Sequence, residues 1–313
     1  MNLDRELLLL GAGIGGLLVA SSVLGAMLHQ TARSEAGRAT VANLNARIRA
    51  WWVMAAIIGL AVLCGRLGVV ILFGVVSFLA LREFITLTPT KRGDHRALFW
   101  AFFVITPAQY YFVATDWYGM FSIFIPVYVF LFIPIRLALA GDCDRFLERS
   151  AMTQWGLMVC TYCLSYIPAL VTLKISGYEG QNIKLIVYLL AVAQLSDVFQ
   201  YVWGKTLGRH KIAPVVSPSK TWEGLVGGAL TATVLGAALW WVTPFLPWQS
   251  AVLSLAITLA GFFGGLVMSA IKRDRGVKDY GNLIEGHGGV MDRVDSLCFA
   301  APVFFHAVRY FFA

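Results

Sequence analysis

Apolar runs separated by short charged stretches repeat along the whole chain. Ten of them predict membrane segments, at approximately 7–28, 50–65, 67–82, 97–115, 118–139, 153–173, 183–203, 222–242, 250–270 and 296–312. A spanning helix takes roughly 20 apolar residues. The second and third runs are short and split by Arg66, and one helix over both would be too long for the hydrocarbon layer. They predict a tight hairpin or a partly re-entrant pair. The first run follows Asp4, Arg5 and Glu6, which is not a positive leader, so a retained helix is expected over a cleaved signal. There is no internal repeat and no low-complexity linker. The expected fold is an all-α integral membrane protein, a polytopic bundle of about ten transmembrane helices forming one membrane domain over 1–313.

Composition agrees. Of 313 residues, 58% are hydrophobic and 13% charged, with mean hydropathy +0.72. Soluble domains are roughly 45–50% apolar and about 25% charged, and a chain this apolar is not disordered. Twenty of the 25 Lys and Arg residues fall in the connections after segments one, three, five, seven and nine. The positive-inside bias therefore predicts those connections in the cytoplasm and both termini outside, in a membrane such as the inner membrane of a bacterium. It also accounts for the net charge of +8 without a nucleic-acid partner. Cys160 and Cys163 form a CxxC inside an apolar run, where cysteine acts as a small hydrophobe. No disulfide framework is expected.

Polar residues that topology does not explain carry the candidate chemistry. Asp197 lies within or near the end of segment seven. A carboxylate in lipid is costly, so it should face protein, water or a cation. Downstream, Gly204-Lys205-Thr206 looks like half a phosphate loop, but Phe199 stands where the first glycine belongs, and no such loop is assigned. That connection holds Lys205, Arg209, His210, Lys211 and Lys220. Pro218 is expected to turn the chain, and the next helix to start near Ser219–Glu223. Its free N–H groups favour an anion, with Ser219 and Thr221 as caps or ligands.

The last connection balances five bases with five acids: Asp274, Asp279, Glu285, Asp292 and Asp295. Targeting needs only the bases. Asp292 and Asp295 are three apart and would share a helical face. Magnesium commonly takes one or two carboxylates plus substrate phosphates. Gly286, Gly288 and Gly289 allow close backbone approach, and His287 is placed to orient a phosphate or move a proton. Together these residues fit a nucleotide or pyrophosphate reaction on a lipid. A transporter or scaffold would spread polar residues over several spans.

The run from Ser269 through Lys272-Arg273, Lys278-Asp279, His287-Gly288-Gly289 and Asp292-Arg293-Val294-Asp295 resembles the signature of the phosphatidate cytidylyltransferases, or CDP-diacylglycerol synthases. Upstream, Asp197, Ser217-Pro218, Lys220-Thr221 and Glu223-Gly224 resemble the same family, so 183–296 would carry the catalytic loops. The sequence departs from the family pattern at Glu285, where Pro or Gly is expected. It also departs at Gly264-Gly265 and Met268, where many bacterial members carry Gly-Asp and then a Glu. The resemblance implies transfer of CMP from CTP to phosphatidate with release of pyrophosphate. It implies magnesium, with room for a second cation, and CTP and phosphatidate as partners. The expected metal ligands are Asp292 and Asp295, supported by Asp197 and Asp279. Lys205, Ser217, Lys220, Thr221, Lys272, Arg273, Lys278 and Arg293 are the expected phosphate contacts, with His287 in a lesser role. The rival chemistry is a CTP-dependent lipid kinase or transfer to another lipid phosphate. A homodimer is compatible with so compact a membrane protein.

Overall fold

The computed structural model describes residues 5–31, 34–284 and 288–313. Among them run ten long helices: α1 (Arg5–Thr31), α2 (Glu35–Leu63), α3 (Gly65–Thr86), α4 (Arg92–Ala114), α5 (Tyr118–Ala138), α6 (Phe146–Thr172), α7 (Ile183–Thr206), α8 (Trp222–Ala238), α9 (Pro247–Asp274) and α10 (Met291–Phe312). Eight of these, α1–α7 and α9, are long and apolar enough to cross a membrane. At 17 residues α8 is shorter, and α10 opens on Asp292, Arg293 and Asp295.

Burial fits a lipid solvent. Leu60, Ile71, Phe103, Leu131 and Val234 point outward, while Ser77, Gln109, Thr161 and Ser165 are buried among helices. Backbone polar groups are satisfied within helices, as a bilayer requires. The core centres on α3, α6 and α10, with Leu81, Leu157, Leu164, Phe304 and Phe305 fully enclosed. α4, α5 and α6 each widen into a short π-helical stretch, at Ala101–Ile105, Phe124–Val129 and Met158–Cys163. Such local rewinding bends a helix.

One helix start differs from the sequence reading, and one open alternative is resolved. α2 begins at Glu35 rather than near 50, because Ser34 caps it: its Oγ accepts from Gly37 N at 3.1 Å. An N-cap of this kind stabilises a helix by about 1 kcal/mol. The added turns are polar (Arg38, Asn43, Asn45, Arg47, Arg49), which hides them from hydropathy, yet Val41, Ala46 and Ile48 among them are buried. The pair split by Arg66 is a hairpin of two full helices. Gly65 takes φ 70°, which only glycine adopts at little cost, so α3 starts immediately after Cys64. Arg66 then donates to the carbonyls of Val113 and Ala114 at 2.9 and 2.8 Å, satisfying the exposed end of α4.

The last four helices approach through glycine. A Cβ on Gly228 would lie 2.4 Å from Gln200 Cγ, joining α8 to α7, and one on Gly264 would lie 2.8 Å from Phe299 Cβ, joining α9 to α10. Small residues at such crossings are how membrane helices gain contact without a hydrophobic driving force.

Between α7 and α8 the chain forms a two-stranded antiparallel hairpin that the all-helical pattern does not reveal: β1 (Lys211–Ala213) pairs with β2 (Ser217–Thr221), Lys211 opposite Thr221 and Ala213 opposite Ser217. Pro218 lies inside β2 and does not turn the chain, contrary to expectation; the turn is at 214–216. Proline is tolerated there because a two-stranded sheet is all edge. α8 starts at Trp222, with Thr221 as its cap.

Candidate active site

The connections after α7 and α9 lie at one end of the bundle, and residues from four elements converge just inside it. Asp197 sits in α7, nine residues before its end, or about 14 Å along the axis at 1.5 Å per residue. Its side chain keeps accessible surface, yet Asp295, Lys220 and Arg293 all act on it electrostatically. That combination describes an open cleft rather than a lipid-facing position.

β2 supplies Lys220. Its Nζ donates to Phe262 O at 3.0 Å and lies 4.4 Å above the Phe262 ring. Burial pulls this ammonium below the ordinary lysine range, and the Asp197 and Asp295 carboxylates oppose that pull. Gly265 faces the same space: a Cβ there would be 3.1 Å from Lys220 Nζ and 4.0 Å from Asp295 Oδ2. The position where the sequence departs from the family pattern therefore opens onto the centre of the cleft.

α10 supplies Asp292, Arg293 and Asp295. Asp292 is tied three ways: Oδ1 accepts from Lys272 Nζ at 2.8 Å, and Oδ2 accepts from Tyr280 N at 2.8 Å and Gly289 N at 3.0 Å. Asp295 is held more loosely, with Oδ1 accepting from Ser296 N at 2.8 Å. The charges of Lys272 and Lys220 both act on it. Arg293 is half-buried, and its carbonyl accepts from Gln194 Nε2 at 3.3 Å. The Asp295, Asp292 and Asp197 carboxylates and the Arg47 guanidinium all lie within range of the Arg293 guanidinium. Beside Asp197, the Ser296 hydroxyl is buried and makes no hydrogen bond of normal geometry among the described residues.

Other expected residues stand further out. Lys205 is exposed, 5.8 Å from the Tyr201 ring centroid. Lys278 and Asp279 are exposed in the last connection. Arg273 ties that connection to the hairpin, donating to Val277 O at 2.9 Å and Val216 O at 3.4 Å. Ser217 is buried in β2. Thr221 Oγ1 accepts from Gly224 N at 3.1 Å, so its hydroxyl serves as a cap. Glu223 clasps the chain before β1, accepting from Arg209 N at 3.1 Å and pairing with His210 Nδ1 at 2.6 Å. His287 lies outside the described residues.

Sequence reasoning missed Glu83. From α3 its carboxylate accepts from Val290 N at 2.9 Å and Met291 N at 2.8 Å, the first amides of α10. Beside it Phe84 stacks on Tyr280, with centroids 6.2 Å apart. Glu83 and Asp292 thus fill the anion-binding end of α10 with the protein's own carboxylates. Lys220, Lys272 and Arg293 each act on Asp197 or Asp295. Arg47 was missed for another reason: it lies on the part of α2 that hydropathy does not show.

Fold and cleft define a polytopic membrane protein whose bases and acids meet at one end of the helices, an arrangement suited to phosphate chemistry. Residues 45–311 match the model of the cytidylyltransferase family, and the chain belongs to that family of nucleotidyl-transferring enzymes. It is 37% identical over 298 residues to the uncharacterized protein YnbB of Escherichia coli (strain K12), covering 94% of this chain and 95% of that one. It is 34% identical over 154 residues to a phosphatidate cytidylyltransferase of Staphylococcus aureus (strain COL), covering 48% of this chain and 59% of that protein. A phosphatidate cytidylyltransferase of Staphylococcus haemolyticus (strain JCSC1435) is 29% identical over 183 residues, covering 52% and 70%.

Proposed function

We propose that the protein transfers CMP from CTP to phosphatidate, giving CDP-diacylglycerol and pyrophosphate. A phosphatidate oxygen attacks the α-phosphorus, and the bond to the bridging oxygen of pyrophosphate breaks. The nucleophile is already an anion, so the chain's work is to position two phosphates and offset their charge. Lys220, Lys272 and Arg293 are placed for this, since all three act on Asp295.

The observation that carries the reading is the Asp197–Asp295 pair. The Asp295 carboxylate acts on Asp197 inside the cleft, with the buried Ser296 hydroxyl beside Asp197. Such a donor set fits magnesium, which takes few protein oxygens and completes its shell with phosphate and water. Among the described residues no three His, Cys, Asp or Glu side chains group closely enough to hold a metal alone. Asp197 and Asp295 would hold the ion, with Ser296 adjacent, and Asp292 would fix Lys272. Bound there, the ion supplies neutralising charge to the triphosphate. The lysine and arginine bias supports a cytoplasmic cleft in a bacterial inner membrane, with both termini on the other side.

Purified full-length protein in detergent, given CTP labelled in the cytidine and phosphatidate, should form labelled lipid and release pyrophosphate one for one. Release of CDP with phosphorylation of diacylglycerol would instead make it a lipid kinase.

A further inference from the structure

We propose that Glu83 is a positioning residue for the cleft: its carboxylate fixes the first turn of α10 and so sets where Asp292 and Asp295 lie. The link to turnover rests on the functional reading above; the link to α10 does not.

Each carboxylate oxygen accepts one amide at the start of α10, Val290 N at 2.9 Å and Met291 N at 2.8 Å. The next amide back, Gly289 N, goes to Asp292 at 3.0 Å. Three successive N–H groups are thereby shared between an acid on α10 itself and an acid 208 residues earlier in the chain. A helix start leaves such groups unpaired unless side chains or water take them, and an ionised acceptor makes the stronger bond.

The surroundings are shaped around the carboxylate. A Cβ on Gly289 would lie 2.3 Å from Glu83 Oε2, and one on Gly281 would lie 2.8 Å from Oε1. No side chain fits at either position while Glu83 is in place. Gly289 therefore answers to Glu83 and not only to a ligand. The Phe84–Tyr280 stack holds the same loop from the next residue, and Tyr280 N donates to Asp292 at 2.8 Å. The tip of α3 thus contacts both Tyr280, whose amide donates to Asp292, and the two residues that immediately precede Asp292. Asp295 follows one turn later on the same helix.

Two arms test this on the full-length protein in detergent. The first is hydrogen exchange across 288–295 in Glu83→Gln. The amide keeps one carbonyl acceptor and presents an N–H group to the other backbone donor. Exchange at Val290 and Met291 should rise by about tenfold or more, with α3 and α9 unchanged. Unchanged protection would overturn the proposal. In the same variant the half-saturating magnesium concentration for CTP turnover should rise and turnover should fall. Loss of protection with wild-type turnover and magnesium dependence would also overturn it, leaving a cap without a positioning role.

The second arm is a cycle of Glu83→Ala, Gly289→Ala and both, read by thermal midpoint. Gly289→Ala should lower the midpoint on its own and be far better tolerated when Glu83 is already alanine. Independent, summing losses would overturn the steric relationship. If the wild-type chain turned over no CTP, the functional reading would fall, while exchange and midpoint would still decide whether Glu83 fixes α10.

Discussion

Lys272 on α9 and Asp292 on α10 meet at 2.8 Å, with side chains only 11% and 4% exposed. The pair joins the two helices at the mouth of the cleft. Breaking such a buried pair on one side costs about 3–5 kcal/mol, mostly from stranding the other charge. Asp292→Asn should therefore lower both the thermal midpoint and turnover.

Asp295 should behave differently. The Asp292 and Asp197 carboxylates both lie within electrostatic range of it, and its Oδ1 accepts from the amide of Ser296, the next residue. Asp295→Asn should leave the midpoint level or raise it, while CTP turnover falls by about a hundredfold or more, the scale of losing one electrostatic contact to a reacting phosphate. A midpoint drop as large as that of Asp292→Asn would contradict the separation of roles.

Removing magnesium should stop turnover without unfolding the protein. CTP should raise the thermal midpoint with magnesium present and do so much less in EDTA, since a ligand stabilises only the state it binds. Equal stabilisation in both conditions would argue that the Asp197–Asp295 pair needs no cation.

Gly264 and Gly265 are adjacent yet should separate stability from activity. A Cβ on Gly264 meets the Phe299 side chain at 2.8–2.9 Å, whereas one on Gly265 meets the end of the Lys220 side chain at 3.1 Å and Asp295 Oδ2 at 4.0 Å. Gly264→Ala should cost about 1–3 kcal/mol of stability as overpacking. Gly265→Ala should be well folded but slower, because it displaces the ammonium. Thermal midpoints and turnover of the two purified variants would settle the contrast.

At the same end of the bundle, Arg149 donates to Asp142 at 2.8 Å and lies 3.5 Å from Asp94, with the Arg149 and Asp94 side chains almost fully enclosed. Arg149→Met would strand Asp94 and should lower the midpoint clearly. Hydrogen bonding from Arg149, then from Asp144 N, holds the Asp142 carboxyl below its ordinary range. A carboxyl lowered in the folded state stabilises above its unfolded value and loses that contribution as pH falls through its folded one. Stability should therefore drop on acidification below about pH 4, the ordinary aspartate range, and the drop should be smaller in Arg149→Met. An identical acid profile in both proteins would count against this pairing.

The helices were legible because lipid forces each span to declare itself as an apolar run. What hydropathy hid was polar or short. The first turns of α2 carry three arginines and two asparagines from Arg38 to Arg49 and bury only a few residues. The β1–β2 hairpin rests on three- and five-residue strands with a proline in one. The acids of the last connection stood out in the sequence because topology had no use for them. Asp292 and Asp295 share a helical turn as their spacing predicts, but spacing cannot say that one is saturated by Lys272 and two amides. Glu83 escaped because its partners are more than 200 residues away. The signal was present: it is a carboxylate at the end of an apolar run, the same criterion that singled out Asp197.

The depth of Asp197 has a consequence for traffic. On the proposed reaction, its place about 14 Å along α7 from the helix end would put the meeting point of substrates below the mouth of the cleft. A lipid then reaches that level with its acyl chains still among their neighbours. The water-soluble nucleotide makes the journey, phosphates first, and pyrophosphate must climb back out by the same door.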